Sequence, residues 1–193
     1  MLQISISRLP ALFAAIAEKR ALYMPIQKND QVNFAPWNPE ETYCADVLKT
    51  VKSAKDLFFP QSETIAHFKR EGKLLSVNPA ALAEEDFAIF GVRACDAASF
   101  EILDRVFLGE PADQYYKARR EHGLVITMAC AEPEESCFCN VFGIDATEPG
   151  GDIACWTADD TLYWKANTEK GRHFTEELAD LLSEGDDSAV EAQ

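Results

Sequence analysis

Six cysteines punctuate the 193-residue sequence, and four of them, Cys95, Cys130, Cys137 and Cys139, fall in one central stretch. Thiolates are the soft ligands of zinc and of iron–sulfur clusters and the attacking groups of thiol–disulfide exchange; protonated and buried, a cysteine is simply a small hydrophobe. Cys95 stands just after an apolar run, Phe87 to Val92, close to the start of a helical pattern, where free backbone N–H groups and the helix dipole favour a thiolate. Asp96 is the expected N-cap of that helix. Cys130 closes a second apolar run, Leu124 to Ala129. If the two runs are parallel neighbours, both sulfurs emerge at the carboxyl edge of the sheet, where open α/β sheets bind ligands. Cys137 and Cys139 are two residues apart, and in locally extended chain they share one face with Cα atoms roughly 6.6 Å apart by strand rise.

Four thiols converging on one crevice suit a structural zinc or a cubane iron–sulfur cluster. Zinc sites more commonly use paired Cys-x-x-Cys knuckles, which this sequence lacks, whereas a cube tolerates the irregular spacing 95, 130, 137 and 139. Spacing alone leaves three readings open: cluster, zinc, and ordinary buried cysteines with an incidental Cys137–Cys139 pair. A thiol redox enzyme built on that pair is a further alternative. Cys44, beside Tyr43, and Cys155, alternating with Ile153 and Thr157, read as packing residues. The three histidines show no ligand spacing. No Walker or dinucleotide glycine loop follows the Phe87 to Val92 run, and no serine sits in a nucleophile-elbow context. The stretch from Asp113 to Glu121 is the one concentrated basic segment. It reads as a solvated helix face, or as a source of cations, Arg119 and Arg120 together with Arg93, that offset the negative charge of a thiolate-ligated cluster.

The elements that must position these residues are legible in part. Leu9, Leu12, Phe13 and Ile16 repeat at helical spacing after Pro10 opens the first turn. Strand-like runs follow at Leu22 to Ile26, Gln31 to Ala35 and Asp56 to Phe59, with a short helix expected over Tyr43 to Val51. The Phe87 to Val92 run, a helix carrying Phe100, Leu103 and Phe107, a second helix over Ala112 to Glu121 and the Leu124 to Ala129 run together predict a βαβ crossover. Ile153 to Thr157 and Thr161 to Ala166 form a hairpin about Ala158 to Asp160, and a last helix runs from about Thr175 to Leu182. The expected fold is therefore α/β: a mixed sheet with a parallel βαβ core flanked by helices, plus a C-terminal hairpin and helix. One domain spans 1–182, and 183–193 is an acidic disordered tail or linker.

Lys and Arg number 18 against 33 Asp and Glu, a net charge of −15. Such a field disfavours nucleic acid and anionic lipid surfaces as partners. No run approaches the ~18 to 20 apolar residues of a membrane span, and the N-terminus lacks the order of features that export needs. The cytoplasm is the expected compartment, where cysteines are metal-binding, catalytic or buried rather than disulfide-bonded.

Phe90-Gly-Val-Arg-Ala-Cys-Asp96, Leu103-Asp-Arg-Val-Phe107, Asp113-Gln-Tyr-Tyr116 with Arg119-Arg-Glu121, then Cys130 and Glu135-Ser-Cys-Phe-Cys139, resemble in order and spacing one family of iron–sulfur proteins: the electron-transfer subunits of anaerobic sulfite reductase and the beta subunits of cytoplasmic sulfhydrogenases. Phe58-Phe-Pro60 and Thr168-Glu-Lys-Gly171 extend the likeness over most of the chain. The resemblance implies a [4Fe-4S] protein of an anaerobic redox complex, with Cys95, Cys130, Cys137 and Cys139 as ligands; Arg93, Asp96, Arg119 and Arg120 are the residues expected around the cofactor. It performs no substrate chemistry itself. Electrons pass between a subunit that oxidises NAD(P)H through flavin and a terminal reductase or hydrogenase subunit. Proteins of this family usually continue into a ferredoxin-like domain, so the resemblance also implies a truncation near residue 193 or a separate ferredoxin-like polypeptide. The competing assignment is a structural zinc-binding or metal-free scaffold subunit of such a complex.

Overall fold

The computed structural model describes residues 1–186 and Val190; the remainder of the expected tail, 187–189 and 191–193, lies outside the described residues. Its centre is an eight-stranded mixed sheet. The strands are β1 (Leu2–Ser5), β2 (Ala21–Lys28), β3 (Gln31–Pro36), β6 (Phe87–Val92), β7 (Gly123–Met128), β8 (Ile153–Ala158), β9 (Thr161–Ala166) and β10 (Ser183–Glu184), while β4 (Ala66–Glu71) and β5 (Leu74–Pro79) pair only with each other. The order across the main sheet is β10-β1-β9-β8-β7-β6-β2-β3. The neighbours β2, β6, β7 and β8 run parallel, and antiparallel strands flank them on both sides.

Buried apolar side chains on both faces of β6 and β7 explain their central place. Ala88, Phe90, Leu124, Ile126 and Met128 join one core with Leu12, Phe13 and Ile16 of α1 (Leu9–Ala17). Phe174 of α4 (Glu169–Glu176) packs on the same side. The alternate residues Ile89, Val92 and Val125 join a second core with Phe100 of α2 (Ala94–Phe107) and Tyr116 of α3 (Gln114–His122). The predicted βαβ crossover is thus β6-α2-α3-β7, with Phe87 opposite Gly123 and Ile89 opposite Val125. The predicted hairpin is β8-β9, turning at Asp159, whose φ is 49°. Among the described residues no helix is long and apolar enough to cross a membrane.

Several local expectations are corrected. The 43–51 stretch is irregular rather than helical, held by a single bridge between Tyr43 and Ile26 and by Cys44 N–H donating to the Pro25 carbonyl at 3.0 Å. Asp56 lies in a short 3-10 turn, Ala54–Leu57, that Ser53 caps, not in a strand. The last helix begins earlier than expected because Thr168 is its N-cap, its hydroxyl accepting from Gly171 N–H at 3.0 Å. Ser183 and Glu184 pair with Gln3 and Leu2 of β1.

Gly171 sits where α4 abuts the start of β8. A Cβ there would overlap the Asp152 carbonyl oxygen and lie 3.1 Å from Ile153. Gly171→Ala should therefore destabilise the protein by about 1–3 kcal/mol, although the same change in an open helix stabilises by up to ~1 kcal/mol. Urea unfolding checks this: the midpoint falls while the slope with denaturant stays unchanged.

Candidate functional site

Val92 ends β6, and Cys95 is the second residue of α2, so the chain turns sharply between sheet and helix. The turn is prepared by a bulge at Gly91, whose φ of +85° favours glycine. A side chain at 91 would also crowd Tyr43 Oη at 3.1 Å and Pro25 at 3.2 Å. Cys130 follows β7 by two residues, its N–H donating to the Ala146 carbonyl at 2.9 Å. Because β6 and β7 are parallel neighbours, Cys95 and Cys130 leave the sheet at the same carboxyl edge.

The connection from β7 to β8, residues 129–152, carries the other two motif cysteines. It is built from short backbone turns: Cys137 N–H donates to the Glu134 carbonyl at 2.9 Å, and Ile144 N–H to the Cys139 carbonyl at 3.0 Å. The expected extended geometry is absent, since Phe138 has φ −144° and ψ 31° and Cys139 opens a 3-10 turn, Cys139–Phe142. The connection is anchored by Trp156 Nε1 donating to the Thr147 carbonyl (2.7 Å) and by Thr127 Oγ1 donating to the Gly150 carbonyl (2.7 Å). Asp152, next to β8, accepts from Val125 N–H at 2.9 Å.

Cys95, Cys130, Cys137 and Cys139 all line one cavity of about 650 Å³, together with Arg93 and Lys49. That volume lies within the ~300–1,000 Å³ range of ligand cavities. The thiols share its wall without converging on a point: among the described residues no three His, Cys, Asp or Glu side chains are grouped as ligands of a single metal ion. All four are free thiols. Burial pushes the Cys95 thiol pKa up, and the Asp96 carboxylate and the Cys139 and Cys130 sulfurs add to it. The helix start therefore does not yield the ready thiolate that sequence position alone predicts. Burial likewise raises Cys130, against which the Arg93 guanidinium beside it pulls downward.

Arg93 is only 7% exposed. Its guanidinium donates to the carbonyls of Ala129 (2.9 Å), Ala45 (2.9 Å) and Val47 (3.3 Å), while its Nε has no hydrogen-bond partner among the described residues. Lys49 pairs with Glu134 at 2.9 Å and donates to the Ser136 hydroxyl, which ties the 43–51 stretch to the segment preceding Cys137. Glu134 holds the Lys49 ammonium above the usual lysine pKa. Sequence reasoning misses Lys49; its place depends on a long-range backbone path that no local pattern marks.

The remaining predicted residues lie apart from the cavity wall. Arg93, not Asp96, is the N-cap residue of α2, and Asp96 instead accepts from Ser53 Oγ at 2.6 Å, with Lys55 Nζ at 3.6 Å. Arg119 pairs with Glu63. Arg120 makes a two-pronged bond to Asp104, both contacts at 2.8 Å, with its guanidinium over the Phe58 ring. Cys155 is fully buried in the core, where burial pushes its thiol pKa well up. Cys44 is half-buried beside the Thr42 carbonyl and does not line the cavity.

Compared with known proteins, the chain is 28% identical over 176 residues to the beta subunit of Sulfhydrogenase 2 from Pyrococcus furiosus, an alignment covering 91% of this chain and 51% of the relative. It resembles the sulfhydrogenase beta subunits. The chain spans about half the length of this curated relative. No family model matches the sequence. No solved structure matches it.

Two outcomes follow from the geometry. Arg93→Met leaves three part-buried carbonyls without their charged donor, so it should lower stability by about 1–3 kcal/mol, read from chemical denaturation. Burial pushes the Tyr43 pKa up to about 12. Its contribution is thus intact below about pH 10, the unfolded value, and is lost as pH rises towards about 12 because the unfolded chain releases the proton first. Denaturation midpoints should fall across that window, and less steeply in Tyr43→Phe.

Proposed function

We propose that Cys95, Cys130, Cys137 and Cys139 hold one [4Fe-4S] cluster and that the chain relays single electrons as a non-catalytic subunit of a cytoplasmic, multi-subunit anaerobic redox complex of the sulfite reductase or hydrogenase and sulfur reductase type. The observation that carries this reading is that four free thiols, contributed by the β6-α2 turn and by the 129–152 connection, line one cavity at the carboxyl edge of the parallel strands. Each iron corner of a cube takes its own thiolate, so a cube is served by thiols spread round a cavity, whereas zinc draws all four to about 2.3 Å from one centre. The likeness to a hydrogenase-complex subunit by name supports the same class.

When bound, such a cluster supplies one-electron redox chemistry. The chain's own residues set the conditions for it. Arg93 places a buried positive charge beside Cys130, and Lys49 places a second at the Cys137 side of the cavity. Both favour the more negative, reduced state of a thiolate-ligated centre and so raise its potential. Lys49 is partly offset by Glu134, and Arg119 and Arg120, away from the cavity wall and each engaged with a carboxylate, contribute less than their place in the basic stretch suggests. The partners proposed are a flavin-bearing subunit that oxidises NAD(P)H, a terminal reductase or hydrogenase subunit, and a ferredoxin-like subunit.

Iron and acid-labile sulfide analysis of anaerobically prepared protein tests the reading. The expected result is about four of each per chain and a broad absorption near about 400 nm, lost in the Ser variants of Cys95, Cys130, Cys137 and Cys139 and kept in Cys44→Ser and Cys155→Ala. About one equivalent of zinc with no iron would show a structural zinc scaffold instead. Loss of the cluster in Cys44→Ser would show that the ligand set is wrong.

A further inference from the structure

The β4-β5 hairpin is a sheet of its own, attached to neither edge of the main sheet. Its register sorts its residues onto two unlike faces. Ala66 opposes Pro79, Phe68 opposes Val77 and Arg70 opposes Leu75 on one face; His67 opposes Asn78, Lys69 opposes Ser76 and Glu71 opposes Leu74 on the other. The first face is apolar but uncovered, with Phe68 77%, Leu75 64% and Val77 61% exposed. A lone two-stranded hairpin is marginal in water unless something packs on it. Its root is nevertheless fixed: Tyr115 Oη of α3 donates to the carbonyls of Ile65 (2.7 Å) and Ala80 (3.2 Å), and Ala80 N–H donates to the Ile65 carbonyl at 3.0 Å. The hairpin is an arm held out from the body with its apolar face bare.

The same chain carries a surface of matching character. A groove of about 870 Å³ runs between α2 and the 138–152 segment. Ile102, Phe138 and Phe142 are its exposed apolar walls. Glu101, Asp145 and Glu148 are exposed carboxylates along it, with Arg105 the exposed cation among them. On the arm Lys69 pairs with Glu71 at 2.6 Å on the other face, which leaves Arg70, on the apolar face, and Lys73, in the turn, as a net positive pair within a chain of net charge −15. Two such acidic chains repel at large, and the arm is the place where one can approach the carboxylates of the other favourably.

We infer that two copies of this chain exchange arms, each laying the Phe68, Leu75 and Val77 face of its hairpin into the groove between α2 and the 138–152 segment of the other. Reciprocal exchange closes as a two-fold dimer and leaves no arm free. Arm exchange requires no cluster in the cavity.

Sedimentation of the full chain, kept anaerobic and reduced so that its free thiols cannot cross-link, tests it. The expected species is a dimer. Phe68→Ser with Val77→Ser on the arm, and Ile102→Ser with Phe142→Ser in the groove, should each weaken the dimer by about 30-fold or more, as loss of interface hot spots does. An equimolar mixture of the two variants should again form dimers, since one intact arm then meets one intact groove. Arg70→Glu with Lys73→Glu, the first on the docking face and the second in the hairpin turn, both exposed, should weaken association too. A wild-type chain that stays monomeric at about 100 µM, an arm variant that dimerises like wild type, a mixture that fails to associate, or a charge variant with unchanged affinity overturns the proposal. A monomer that gains mass only with a different protein overturns it equally and assigns the arm to another chain.

Discussion

One buried cation fixes the geometry of the site. Arg93 is the residue between β6 and α2, and its guanidinium reaches the carbonyls of Ala45, Val47 and Ala129. Those carbonyls belong to two other parts of the chain, the irregular 43–51 stretch and the exit of β7, so a single side chain aligns three segments that have no regular secondary structure in common. Removing a charge from water is costly unless it is surrounded by acceptors, and three carbonyl oxygens plus the adjacent Cys130 supply that environment. Neutral oxygens satisfy the hydrogen-bonding capacity without cancelling the charge. The cation therefore remains available to whatever negative species the neighbouring thiols form.

The second constraint is topological. Parallel strands need a crossover, and between β6 and β7 the helices α2 and α3 provide it in the ordinary way. Between β7 and β8 the crossover has no α-helix; only the Cys139–Phe142 turn interrupts it. A long irregular connection of this kind is usually functional, and here it is fastened near its C-terminal end by Thr127, Trp156 and Asp152. Asp152 does more than fasten. One carboxylate oxygen accepts from the backbone of β7 and the other from the Thr168 hydroxyl that caps α4, while its carbonyl accepts from Asn167. The loop that carries three of the four cavity cysteines thus ends in a residue wired to both the sheet and a helix, and the packing of Gly171 against that residue leaves no slack.

What is legible in the sequence follows the range of the forces involved. β6, α2, α3 and β7 are written in local periodicity, because strands buried on both faces must be continuously apolar and their helices must present one apolar stripe; the placement of Cys95 and Cys130 at one edge follows from that pattern alone. The 43–51 stretch has similar local composition, yet its conformation is dictated by Arg93 and by the Ile26–Tyr43 bridge, both distant in sequence. β1 is illegible for the same reason, since its four residues acquire meaning only by pairing with β9. The hairpin of β4 and β5 escapes notice although its residues alternate, because Lys69, Arg70 and Lys73 crowd its turn and give it the look of a solvated loop. Cys137 and Cys139 reach the same cavity by a different local geometry from the extended one expected, which shows that spacing can indicate proximity without indicating conformation.

Net charge and local charge oppose each other in this protein, and distance decides between them. A chain of −15 should resist gathering more negative charge, and four thiolates in one cavity are an extreme case. Exposed charges more than about 8–10 Å apart are largely screened at physiological salt, so most of the carboxylates act weakly on the cavity. Arg93, buried beside Cys130 and hydrogen-bonded to neutral carbonyls, acts with far less screening, whereas Lys49, exposed at the rim and paired with Glu134, acts more weakly. The same reasoning explains why Arg119 and Arg120, although they dominate the only basic stretch of the sequence, matter little there: Glu63 and Asp104 neutralise them locally. The polarity of the cavity is thus set chiefly by Arg93, which the sequence offers as a candidate cation without showing its burial, and the acidity of the whole molecule is expressed elsewhere, on the surface.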